Sequence, residues 1–171
     1  MEGQKRIVTM KGKPLTLVGN EIKKGQQAPE FEVVANDMSP VKLSSFKGKV
    51  CIICSVPSLD TSVCDRETRR FNEEAQKLGD KVAVLVISMD LPFAQKRWCG
   101  AAGIENVQTL SDYRDSSFGS AYGVLIKELR LLARAVFIVD SKGVIGYVQI
   151  VGELTNEPDY DAALEVVGKL L

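Results

Sequence analysis

Two continuous apolar runs most constrain what this chain can fold into. The first is Lys49-Val-Cys-Ile-Ile-Cys-Ser-Val56, and the second occupies residues 82–89. Both are rich in β-branched residues and lack polar–apolar alternation, the pattern of strands buried on both faces. Between them, residues 65–78 place Phe71, Ala75 and Leu78 at helical spacing, and Gly79 closes the segment. Strand, helix and strand in that order predict a crossover unit with parallel strands and a helix laid over the sheet.

The rest of the chain extends that unit. Residues 6–10 and 15–18 are short apolar runs around Lys11-Gly-Lys-Pro14, which predicts a hairpin within an N-terminal extension over residues 1–19. A loop at 25–31 leads to a short run at 32–35, and residues 43–48 read as a turn or a single helical turn. Asp90 is placed to cap a second helix, with Pro92 in its first turn, running to about Cys99 and Gly100. A weak third strand is expected at 106–110 and a short helical turn at 117–122. Residues 133–139 and 144–151 flank Asp140-Ser-Lys-Gly143 and predict a hairpin of antiparallel edge strands, followed by a terminal helix over 159–170. No repeat, low-complexity tract or interior linker interrupts residues 1–171. The expectation is a single α/β domain with a central mixed sheet flanked by helices.

Chemistry concentrates where the first strand meets the first helix, in Pro57-Ser-Leu-Asp-Thr-Ser-Val-Cys64. A cysteine at a helix start faces unpaired backbone N–H groups and the positive end of the helix dipole, so its thiolate is favoured. The Thr61 hydroxyl and the guanidinium groups of Arg66, Arg69 and Arg70 are close in sequence, although three arginines on one helix also describe a solvated face. The chain contains no histidine. Activation of Cys64 must therefore come from hydrogen bonds, cations and the helix terminus rather than from a Cys–His pair.

Cys51 and Cys54 form a Cys-x-x-Cys spacing inside the first apolar run. A strand's period of two puts residues three apart on opposite faces, which favours packing thiols over a redox pair or half a zinc site. Arg134 stands in another apolar stretch, Leu131-Leu-Ala-Arg-Ala-Val-Phe137, read as part of a strand. A charge there needs a core carboxylate, a solvent-facing edge or a task. Trp98, Phe93 and Tyr122 read as core or rim aromatics.

The pattern Pro57-x-x-x-Thr61-x-x-Cys64 resembles the peroxidatic signature of the peroxiredoxins. The longer string continuing through Asp65-Arg-Glu-Thr-Arg-Arg-Phe-Asn-Glu74 is similar to the bacterial thiol peroxidase subfamily. So are Asp90-Leu-Pro-Phe-Ala-Gln-Lys-Arg-Trp-Cys99, the stretch around Arg134, and Thr155-Asn-Glu-Pro-Asp-Tyr160. The resemblance spans nearly the full length. It implies a thioredoxin-like (peroxiredoxin) fold and an atypical two-cysteine enzyme that reduces hydrogen peroxide and alkyl hydroperoxides. By the same resemblance Cys64 is the peroxidatic thiol and Cys99 the resolving thiol. Arg134 is the guanidinium beside the sulfur, Thr61 and the Cys64 N–H are further donors, and Pro57 shields the thiolate. A Cys64–Cys99 disulfide recycled by thioredoxin, and a homodimer, follow from it too. No metal or organic cofactor is implied. The alternatives are a thioredoxin-like disulfide oxidoreductase using Cys51 and Cys54, and a redox sensor or holdase that peroxide oxidises with little turnover.

Charge and hydropathy narrow the partners. Lysine plus arginine equals aspartate plus glutamate at 22 each, so nothing favours nucleic acid or an anionic membrane. The apolar runs are too short to span a bilayer, and residues 1–6 are not followed by a signal-peptide core. A cytoplasmic location, with the cysteines reduced or redox-active, is the expectation.

Overall fold

A computed structural model of the chain describes residues 6–171. At its centre lies the expected crossover unit. Strand β5 (Val50–Ser55) runs parallel to β6 (Val82–Ser88), and β6 runs parallel to β7 (Gln108–Ser111). The connections carry helix α1 (Ser62–Leu78) and helix α2 (Pro92–Ala102). The remaining strands are β3 (Glu32–Val34), β4 (Pro40–Lys42), β9 (Ala135–Val139) and β10 (Ile145–Ile150), giving a seven-stranded sheet of order β10-β9-β5-β6-β7-β3-β4. Helix α4 (Tyr160–Leu170) closes the chain, with Asp159 capping it through a bond from the Ala162 N–H.

The late hairpin departs from expectation in one respect. Only β10 lies on the edge, because β9 pairs antiparallel with β5 and sits inside the sheet. All five residues of β9 are buried, as an interior strand covered on both faces must be.

Strand alternation sorts β5 between two cores. Cys51 and Ile53 face a cluster with Phe31, Phe118, Tyr122 and Phe137, next to the short helix α3 (Ser117–Ala121). Ile52 and Cys54 face the other cluster, with Cys64 and Phe71 of α1 and Ala163 and Val167 of α4. The N-terminal hairpin is present as β1 (Arg6–Met10) and β2 (Lys13–Val18), which join β8 (Leu125–Ile126) in a three-stranded sheet. Residues 1–5 of the expected extension lie outside the described range. Val8, Leu15 and Leu17 of the hairpin belong to the Phe31 core. Among the described residues, no helix is long and apolar enough to cross a membrane.

Candidate functional site

The site begins where β5 ends. Val56 N–H still donates to Ile87 O at 3.0 Å, and the buried Pro57 then stops the ladder because it has no N–H to offer. The loop that follows is tied to Asp90. Ser58 Oγ donates to Asp90 Oδ1 at 2.7 Å, while Leu59 N–H and Ser88 Oγ donate to Oδ2 at 2.8 and 2.7 Å. Asp90 therefore anchors this loop and does not cap α2, whose N-cap residue is Leu91 with Pro92 just after it.

Helix α1 starts three residues earlier than its periodicity predicts, at Ser62, with Thr61 as its N-cap residue. Asp65 N–H makes the first intrahelical bond, to Thr61 O at 3.0 Å. The N–H groups of Ser62, Val63 and Cys64 thus precede the helical ladder, and Cys64 lies in the first turn. The Thr61 hydroxyl is exposed and donates to Ser58 O at 3.1 Å, so it holds the loop rather than the sulfur.

Cys64 is wholly buried, and among the described residues one cation reaches it: Arg134 Nη2 donates to Cys64 Sγ at 3.3 Å. Arg134 lies just before β9 rather than within it. Ser55 Oγ donates to the preceding carbonyl, Ala133 O, at 2.7 Å, and Val151 N–H donates to Arg134 O at 2.9 Å. Four of the five N–H donors of its guanidinium are engaged. Nη1 donates to Glu67 Oε2 at 2.7 Å, and Nε and Nη2 donate to Leu154 O at 3.0 and 2.8 Å. The charge in this apolar stretch thus has a core carboxylate as partner, and it also touches the thiol.

Glu67 escaped the sequence reading. It stands one turn after Cys64, on the buried face of α1 with Thr68 and Phe71. A carboxylate in that apolar stripe was the available signal, because such a group needs a cation. Burial pushes the Glu67 carboxyl up, to about 7, against the pull of Arg134. Burial pulls Arg134 down, but Cys64 and Glu67 outweigh it and hold the guanidinium above its ordinary value. Glu67 Oε1 is buried without a hydrogen-bond partner.

Arg66, Arg69 and Arg70 form the solvated face. Arg66 faces Glu157, Arg69 pairs with Asp65 and lies over Trp98, and Arg70 pairs with Glu74 and Asp161. Phe93, in the first turn of α2, is 67% exposed, whereas Tyr122 is core and donates its hydroxyl to Pro29 O.

Cys99 is not bonded to Cys64, and all four cysteines are free thiols. It lies on α2, half-buried, packed against the apolar cluster that holds Cys64. Its sulfur is 3.2 Å from Thr109 Oγ1, and it opens on a groove of about 450 Å³ shared with Asn36, Ile104 and Val107. Burial raises the Cys99 thiol, with Thr109 and Asn36 pulling the other way. Cys51 and Cys54 point into opposite cores; burial pushes Cys51 up to about 11 and Cys54 well above its ordinary value. They cannot act as a pair without dismantling the sheet. Among the described residues, no group of three or more Cys, Asp or Glu side chains could hold a metal.

Comparison with known proteins bears on the family and the fold. The model of the Redoxin family matches residues 23–164. A thiol peroxidase of Halalkalibacterium halodurans is 61% identical over 158 residues, covering 92% of this chain and 95% of the relative. A thiol peroxidase of Bacillus subtilis is 58% identical over 164 residues, covering 96% and 98%. The crystal structure of a peroxiredoxin-like protein from Aquifex aeolicus superposes with a TM-score of 0.91 at 47% identity, covering 97% of this chain and 98% of the other.

Proposed function

The chain belongs to the Redoxin family, as a thiol peroxidase of the peroxiredoxin type, and from that premise we propose that it reduces hydrogen peroxide and alkyl hydroperoxides through Cys64. The observation that carries this reading is the contact of Arg134 Nη2 with Cys64 Sγ, inside a guanidinium clamp closed by Glu67 and Leu154.

In the proposed cycle, the Cys64 thiolate attacks one peroxide oxygen and forms an S–O bond as the O–O bond breaks. The leaving oxygen takes a proton and departs as water or an alcohol, and Cys64 becomes a sulfenic acid. Negative charge grows on the leaving oxygen during this step. A guanidinium fixed in advance stabilises it without reorganising, and the Cys64 N–H at the helix start adds a second donor. Thr61 has its proton committed to Ser58 O, so its oxygen is available to accept the peroxide O–H. Pro57 closes the inner side of the pocket against water.

The Cys99 thiol then displaces water from the sulfenic acid to give a Cys64–Cys99 disulfide. A dithiol of the thioredoxin type reduces that disulfide and is itself oxidised. Cys99 suits the exposed role because it lines an open groove, while Cys64 is sealed. We place the working unit as a homodimer on the resemblance alone.

The test couples NADPH oxidation to thioredoxin reductase, thioredoxin, this protein and cumene or hydrogen peroxide. Sustained turnover that vanishes in Cys64→Ser is expected, because a serine hydroxyl does not ionise near neutral pH. Substantial turnover in Cys64→Ser would end the mechanism.

A further inference from the structure

The arginine that touches the thiol is aimed partly by one backbone carbonyl, and that carbonyl is itself held from a distant part of the chain. Leu154 O accepts both Nε and Nη2 of Arg134. The Leu154 peptide sits in the loop between β10 and α4, outside the large sheet, with its side chain in the core. Its backbone anchor is the N-terminal hairpin. Leu154 N–H donates to Thr9 O at 2.8 Å, and Thr9 N–H donates to Gly152 O at 2.7 Å.

The side chain between those two rungs completes the anchor. Glu153 Oε1 accepts from Gly12 N–H at 2.9 Å, in the hairpin turn, and from Thr9 Oγ1 at 3.1 Å. Its Oε2 accepts from Thr155 N–H at 2.9 Å and Thr155 Oγ1 at 2.7 Å. One carboxylate thus joins the hairpin turn to both sides of the Leu154 peptide. These bonds, the Thr155 hydroxyl foremost and then the Gly12 and Thr155 N–H groups, hold the Glu153 carboxyl down at about 2.

We propose that Glu153, acting with Thr9 of the hairpin, is a positioning residue for Arg134. It sets where Leu154 O lies and so where the guanidinium meets Cys64 and the peroxide. The N-terminal hairpin on this account is a brace for the site and not only a cover for the core. The proposal rests on the reading of Cys64 and Arg134 as the peroxide-reducing centre.

Two readouts on the full-length protein test it: single-turnover oxidation of Cys64 by cumene hydroperoxide, and the pH profile of Cys64 alkylation by iodoacetamide, read by mass spectrometry. Glu153→Ala should slow oxidation by about tenfold, the scale on which small displacements of a reacting group act. It should also move the alkylation profile to higher pH. Glu128→Ala is the control, because Glu128 clamps the same hairpin through Thr16 N–H without touching the Leu154 loop. It should leave both readouts at wild-type values.

In an Arg134→Met background, Glu153→Ala should change the alkylation profile no further, since its effect runs through the guanidinium. Wild-type behaviour of Glu153→Ala overturns the proposal. So does an equal effect of Glu128→Ala, or a full Glu153 effect persisting without Arg134. Absence of Cys64 oxidation in the wild type would instead end the peroxidase reading, and the alkylation profiles would still decide the brace.

Discussion

At the scale of single residues, the site rests on a buried ion pair with unequal demands on its members. Glu67 and Arg134 are 0% and 2% exposed, and removing one member of such a pair commonly destabilises by about 3–5 kcal/mol. Arg134→Met keeps much of the stem's packing and leaves Glu67 able to neutralise by holding its proton. It should therefore fold, while Cys64 oxidation slows by about tenfold or more, equivalent to about 1.4 kcal/mol of lost transition-state stabilisation. Stopped-flow fluorescence of Trp98 reads that rate, and a wild-type rate would make Arg134 purely structural. Cys51 and Cys54 serve as the contrast. Replacing both with alanine should preserve turnover, because neither sulfur bonds Cys64 or Arg134; a folded but inactive double variant would refute that. The sequence made Cys64 and Arg134 visible because each breaks a local rule, a thiol at a helix start and a charge in an apolar stretch. Leu154 left no trace, since its contribution is a carbonyl that every residue carries.

At the scale of elements, the crossover unit was legible because β5 and β6 are covered on both faces, which forces unbroken apolar runs. Strands β4 and β8 have three and two residues, too few to show any period. Asp90 misled for a physical reason. An Asp shortly before a proline is a sound local cap signal, but the donors of Ser58, Leu59 and Ser88 claim both of its oxygens. The assignment of β9 to an edge failed because hairpin patterning says which strands are joined and not what lies on the far side. Helices α1 and α2 carry the two thiols of the proposed cycle. Cys64 is buried in the first turn of α1, whereas Cys99 opens on a groove, so joining the two sulfurs should require that turn to open. Amide exchange at the start of α1 should accelerate in the oxidised protein. Cys99→Ser should consume about one equivalent of peroxide per chain and then stall with thioredoxin, because only the recycling step in this mechanism uses Cys99. Normal steady-state turnover in that variant would assign resolution to another thiol.

At the scale of the whole molecule, we propose that residues 1–171 form one cooperative domain, since Val8, Leu15 and Leu17 of the hairpin share a core with Phe137 of the large sheet. A single thermal transition makes the pH dependence of stability readable. Two buried carboxyls control its upper limb. Burial raises Glu67 to about 7 from an ordinary 4.5, and raises Asp112 to about 6 from 3.8 despite the Gly119 and Phe118 N–H groups it accepts. Both keep their protons in the folded chain at pH values where the unfolded chain has lost them. Their contribution is complete below the ordinary values and is lost as pH rises through about 6 to 7. Glu153 has the opposite sign. Its carboxyl is lowered from 4.5 to about 2, so its contribution is present above the ordinary value and fades as pH falls towards the lower one. The two limbs place the highest Tm at about pH 4, with a decline on either side. Differential scanning calorimetry from about pH 3 to pH 8 measures it, and Asp112→Asn should flatten the descent between about pH 4 and 6 whatever its baseline Tm. A Tm that climbs steadily to pH 7 would mean that Glu67 and Asp112 are ionised in the folded state, and that the clamp on Arg134 carries a full negative charge throughout.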